Sequence, residues 1–134
     1  MSLRSLPLIV LAFILYNALV LLFGVDVLDK NLFEIPMLSG GIWKFNWGHL
    51  IILATLMLLF IELVKSTYTS ASSLVDHGLS MIVFIACLIE FLMTPLAATS
   101  VFFLIVVATA IDVVAGFTIG IRVAQRDLTF GTSN

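Results

Sequence analysis

A chain of 134 residues that is 62% hydrophobic and 10% charged, with a mean hydropathy of +1.25, lies outside the composition of a soluble globular domain. The length allows one domain, residues 1–134, and a net charge of -2 without a dense Lys/Arg cluster sets nucleic acid aside as a partner. A single cysteine, Cys87, excludes an internal disulfide, a CxxC redox centre and a cysteine-rich zinc site.

The first apolar run, Leu6 to Phe23, exceeds the h-region of a signal peptide, and no small-x-small cleavage site follows in FGVDV. A retained transmembrane helix is therefore expected. It carries no charge, and its polar groups are Asn17 near the middle and the neighbouring Tyr16. The loop from Val25 to Ile42 holds Asp26, Asp29 and Glu34 but also Leu28, Leu32, Phe33, Ile35 and Met37, a mixture suited to lying along a membrane surface. Trp43, Phe45 and Trp47 read as an aromatic anchor at the water interface. Gly40-Gly41 reads as a turn, because the pattern of a P-loop or a dinucleotide fingerprint is absent.

Three further apolar runs follow, Trp43 to Val64, Leu74 to Leu96 and Thr99 to Ile121, each close to the roughly 20 residues that a bilayer core requires. The hydroxyl-rich stretch Ser66 to Asp76 separates the second from the third, with Ser73 and Asp76 spaced as a capping box that starts a helix. Pro95 lacks a backbone donor and disfavours helix at Thr94, which predicts a short turn before the fourth run. The polar tail from Val123 onward is expected to fray. The pattern predicts an all-α fold, an integral membrane bundle of four transmembrane helices with approximate spans 6–23, 43–64, 74–96 and 99–121. Four spans put both termini on one side, with Arg4, Lys65, Arg122 and Arg126 there and Lys30 and Lys44 opposite. The excess of positive charge assigns that side to the cytoplasm, for a multi-pass protein of a plasma membrane of the bacterial inner-membrane kind.

Polar residues fall on stripes when placed at about 100 degrees per residue. The fourth run contains ATAIDVVAGFTIG, in which Ala108, Asp112, Gly116 and Gly120 recur every four residues on one helix face, the two glycines forming a small-xxx-small pair for close helix packing. An Asp near the membrane centre costs about 2.5 to 3.5 kcal/mol on insertion scales and so faces protein or water. The second run contributes Thr55 and Glu62, the third Ser80, Cys87 and Glu90. Counted by helix rise, Glu90 falls in the outer third, Asn17 and Asp112 near the middle, and Glu62 with His77 near the cytoplasmic surface. Asn17, Glu90 and Asp112 are thus the candidate buried polar groups of an ion or proton path. Ala108, Gly116 and Gly120 are the candidate packing residues. Glu62 and Lys65, three apart, are expected to pair at the helix end.

His49 and His77 are expected at opposite membrane surfaces, too far apart to ligate one haem iron. No HExxH motif, Ser-His-Asp arrangement or glycine-bracketed serine is present, so neither catalytic residues nor a cofactor or metal site is assigned. Two classes of function remain. One is a noncatalytic subunit or helper of a larger membrane complex, which fits short loops and small-residue helix faces. The other is a small oligomeric proton- or cation-coupled transporter or channel using buried carboxylates. The expected partners are membrane lipid and other membrane subunits, or further copies of the same chain.

Overall fold

The computed structural model describes the backbone of residues 7–68 and 73–132, and the side chains of 7–65, 78–118, 121 and 122. The elements run α1 (Val10–Phe23), a 3-10 turn (Val25–Asp29), β1 (Asn31–Pro36), β2 (Ile42–Asn46), α2 (Trp47–Tyr68), α3 (Ser73–Met93), a second 3-10 turn (Pro95–Ala97) and α4 (Ser100–Thr132). The protein is mostly helical, with four α-helices among the described residues.

Local chemistry sets the helix ends. At the end of α1, Gly24 adopts φ 87° and its N–H donates to the Val20 carbonyl at 2.8 Å, a conformation that glycine reaches without Cβ strain. At the start of α2, Asn46 and His49 cap each other: the His49 N–H donates to Asn46 Oδ1 at 2.8 Å and the Asn46 N–H to His49 Nδ1 at 3.2 Å. This is a capping box with histidine in the usual Glu/Gln place. Thr94 is extended (φ -108°, ψ 119°) ahead of Pro95, as the proline ring requires. Thr99 then opens α4 by accepting the Phe102 N–H on its hydroxyl at 3.2 Å.

Several boundaries differ from those read in the sequence, among them the end of α2, at Tyr68 rather than Val64, and the end of α3, at Met93 rather than Leu96. Trp43 to Asn46, taken as the start of the second span, is strand β2, paired antiparallel with β1 in the register Phe33 to Phe45, Glu34 to Lys44 and Ile35 to Trp43. Period-two alternation of aromatic and polar residues on either side of the glycines carries the pairing. Gly40 supplies φ 94° in the turn, which closes through the Met37 N–H on the Gly41 carbonyl at 2.7 Å. At the other end of the chain α4 continues through Thr132 where fraying was expected from Val123. Extending an existing helix needs no new nucleus, and Ala124, Gln125, Arg126 and Leu128 are good helix formers. The start of α1 differs too, at Val10 rather than Leu6. α3 starts at Ser73, but the side chains of Ser73 and Asp76 lie outside the described residues.

α4 is the central helix, packed against both α2 and α3, with α1 resting on α2 and the edge of α4. Tyr16, Ile51, Cys87, Phe102 and Ile105 form the main core and Ile9, Leu59 and Ala108 a second one. Large apolar side chains also cover the outside of the bundle, while a few polar ones are buried beside the apolar core. Leu22, Phe60, Ile82, Leu92 and Val114 are 62% to 76% exposed, whereas Glu62, Ser80, Thr109 and Asp112 are at most 5% exposed. Among the described residues two segments, Trp47–Lys65 and Ser100–Thr118, are long and apolar enough to cross a membrane; Val10–Phe23 and Gly78–Met93 are apolar but shorter.

Candidate functional site

Thr55 and Thr109 are buried with their hydroxyls on carbonyls of their own helices, and the polar groups that reach between elements gather in two clusters at different levels of the bundle. The first joins all four helices at the end remote from the hairpin. Glu62 of α2, 5% exposed, accepts the Leu8 N–H on Oε2 at 2.9 Å and pairs with Lys65, Nζ lying 3.9 Å from the same oxygen. A carboxylate here receives an N–H that has no partner within α1 and meets the positive end of that helix dipole. Asp112 of α4 is within electrostatic reach of Glu62 and Lys65 and is hydrogen-bonded by the Ser80 side chain of α3. Its second oxygen, Oδ2, is shielded from solvent and has no hydrogen-bond partner.

Asp112 was expected near mid-depth, well away from Glu62, and the strand explains why the two meet. Because α2 begins at Trp47, Glu62 is 15 residues along it, and Asp112 is 12 residues along α4 from Ser100. Those counts correspond to about 22 and 18 Å of helix rise, so both acids sit at nearly the same level.

The second cluster closes the hairpin end. The Tyr16 hydroxyl donates to the Leu96 carbonyl at 2.8 Å and shares a hydrogen bond with Thr99 Oγ1 at 2.7 Å, tying α1 to the turn between α3 and α4. Its ring meets Phe102 edge-on at 4.9 Å. Glu90 lies within electrostatic reach of Tyr16 and of Cys87, with Oε2 shielded and without a hydrogen-bond partner. Between the clusters lies an apolar core of Ile51, Cys87 and Ile105.

The candidates from the sequence are therefore dispersed. Glu90 belongs to the hairpin-end cluster and Asp112 to the other. Asn17, half-buried, donates from Nδ2 to the Phe13 carbonyl of its own helix at 2.9 Å and joins neither. Ala108 is buried against Ile9 and Leu59, and Gly116 is buried on the same face of α4; the surroundings of Gly120 and the side chain of His77 lie outside the described residues. His49 is exposed and engaged in capping. Among the described residues no group of three His, Cys, Asp or Glu side chains could hold a metal ion.

Sequence reasoning passed over a groove on the outer side of the bundle. A cavity of about 200 Å³ opens between α2 and α4, lined by residues that include Thr55, Leu56, Leu59, Leu104, Ala108 and Ile111. A shallower depression of about 390 Å³ continues from it along α4 over Val107, Ala110, Ile111, Val114 and Ala115. The two share Val107 and Ile111 and together run from 104 to 115, about 16 Å of helix. The signal was the small residues Ala110 and Ala115 of the fourth apolar run, Ala115 lying three residues from Asp112 and toward its side of α4. Compared with protein-family models, with curated proteins and with solved structures, the chain matches none.

Proposed function

We propose that this protein is an integral membrane bundle of four transmembrane helices, with both termini in the cytoplasm, that acts as a noncatalytic subunit or helper of a larger membrane complex. The observation that carries the reading is the continuous apolar groove of α2 and α4, whose floor of Ala108, Ala110 and Ala115 leaves room for the close approach of another transmembrane helix. Membrane residence is supported by the large exposed apolar faces on every helix, which are matched by lipid and not by water. In this reading Glu62, Ser80 and Asp112 act as ties between helices, as do Tyr16 and Thr99.

The test is site-directed photo-cross-linking in native membranes. A photoreactive residue at Ala110, in the groove, should capture one larger integral membrane protein, while the same residue at Leu22, on the exposed face of α1, should capture lipid. Ala110→Phe should abolish co-isolation of that partner. Equal labelling from both positions, with no discrete adduct, would remove the support for a docking helix.

A second reading, a small oligomeric proton- or cation-coupled transporter, draws on one observation: Asp112 has a shielded, unpartnered oxygen close to a second carboxylate, Glu62. It requires that flux in vesicles of the purified protein be lost on Asp112→Asn.

A further inference from the structure

The hairpin is the one element that the helper reading leaves without a task, and its two faces differ sharply. The register puts Phe33, Ile35, Trp43 and Phe45 on one face and Glu34 and Lys44 on the other. The aromatic face is a packed surface: Phe33 stacks on Phe45 at 4.9 Å and 11°, and Trp43 meets both rings edge-on, at 5.5 and 5.7 Å. Yet Phe33, Ile35 and Trp43 are each more than 40% exposed, and the tip residue Leu38 is fully exposed.

Two observations say what covers this face. The hairpin enters α2 without an intervening residue, since Asn46 ends β2 and caps α2, and the Trp47 N–H donates to the Lys30 carbonyl at 3.1 Å. Its base is therefore fixed at the level where a membrane-crossing α2 enters hydrocarbon. The Phe45 ring also lies 5.8 Å from that of His49, an exposed residue in the first turn of α2. The aromatic face is thus continuous with the outward side of α2 instead of turning over the end of the bundle.

We infer that the β1–β2 hairpin is a lipid-interface paddle: Phe33, Ile35, Trp43 and Phe45 seat in the headgroup and upper acyl region beside α2, while Glu34 and Lys44 face water. The inference rests on the membrane reading above. Aromatic side chains suit this depth because their apolar bodies and polarisable faces match the mixed environment of the interface. Glu34 and Lys44 oppose one another across the strands and offset each other's charge, so seating does not depend on anionic lipid.

The experiment uses the full chain in phosphatidylcholine vesicles. The sequence has two tryptophans, Trp43 and Trp47, so Trp47→Phe leaves Trp43 as the reporter. Its emission should shift to the blue and be quenched more by lipid brominated near the headgroup than by lipid brominated near the chain ends. It should resist aqueous acrylamide, with no change on adding anionic lipid or salt. Spin labels on Ile35→Cys and Lys44→Cys, each with Cys87→Ala, give a second readout should Trp47→Phe fold poorly; the first should report lipid and the second water. A reporter at Leu56, an exposed position within α2, placed by Leu56→Trp with Trp43→Phe and Trp47→Phe, should be quenched by bromines near the chain ends. Quenching at Leu56 with none at Trp43, and a water signal at Ile35, would overturn the paddle and leave the membrane reading standing. Quenching at neither position would overturn both.

Discussion

Replacing Tyr16 by Phe removes one oxygen atom and leaves the ring that packs on Phe102. The hydroxyl serves two partners, the Leu96 carbonyl at 2.8 Å and Thr99 Oγ1 at 2.7 Å, and the residue itself is 1% exposed. A buried acceptor left unpaired costs about 1 to 3 kcal/mol, while hydrogen bonds between helices within membranes average nearer about 0.6 kcal/mol. The expected loss for Tyr16→Phe is therefore about 1 to 2 kcal/mol. Tyr16→Ala also removes the aromatic contact and should cost about 3 to 5 kcal/mol. Reversible denaturant titration in detergent micelles, followed by circular dichroism, measures both. Thr99 has a second duty in capping α4 through the Phe102 N–H, so Thr99→Val alone overstates the pair. A double-mutant cycle with Tyr16→Phe isolates the shared bond, with an expected coupling of about 0.5 kcal/mol or more. A Tyr16→Phe variant within about 0.3 kcal/mol of wild type, together with zero coupling, would refute the idea that this tie closes the hairpin end.

Gly48→Ala should destabilise the fold by about 1 to 3 kcal/mol, because a Cβ there would lie 3.0 Å from Val101 Cγ2 and 3.1 Å from the Leu28 carbonyl oxygen; thermal melting in detergent checks it. Asn46→Ala should cost about 1 kcal/mol by removing the cap that accepts the His49 N–H, and hydrogen exchange should rise in the first turn of α2. Glu62→Ala should leave the Leu8 N–H without its acceptor, so exchange should quicken at the start of α1 while the hairpin end keeps its protection. If Asp112 is a tie between helices, Asp112→Asn should preserve assembly and Asp112→Leu should weaken it, as read by gel filtration in mild detergent.

The helix count and the turn at Pro95 were legible because apolar run length and proline stereochemistry are local properties. The Glu62–Lys65 pair was legible for the same reason, being three residues apart on one helix. The hairpin had a visible signal too, Phe33 and Ile35 alternating against Trp43 and Phe45 across a glycine pair. It was obscured because aromatic residues next to an apolar run fit an interfacial anchor equally well. That misplacement carried into the depth count and separated Asp112 from Glu62. The contact of Tyr16 with Thr99 spans 83 residues, and no sequence period specifies which helix faces which. The groove was illegible for a related reason: it is made by two helices at once, and α2 and α4 show their shared seam only when docked.

Whether the chain works as a docked helper is decided by the composition of the particle that it forms when isolated gently from native membranes. A fixed stoichiometry with a larger integral membrane protein is expected, lost on Ala110→Phe and kept on Asp112→Asn. A particle containing only copies of this chain, whose vesicles conduct protons or cations until Asp112 is replaced by Asn, would contradict it.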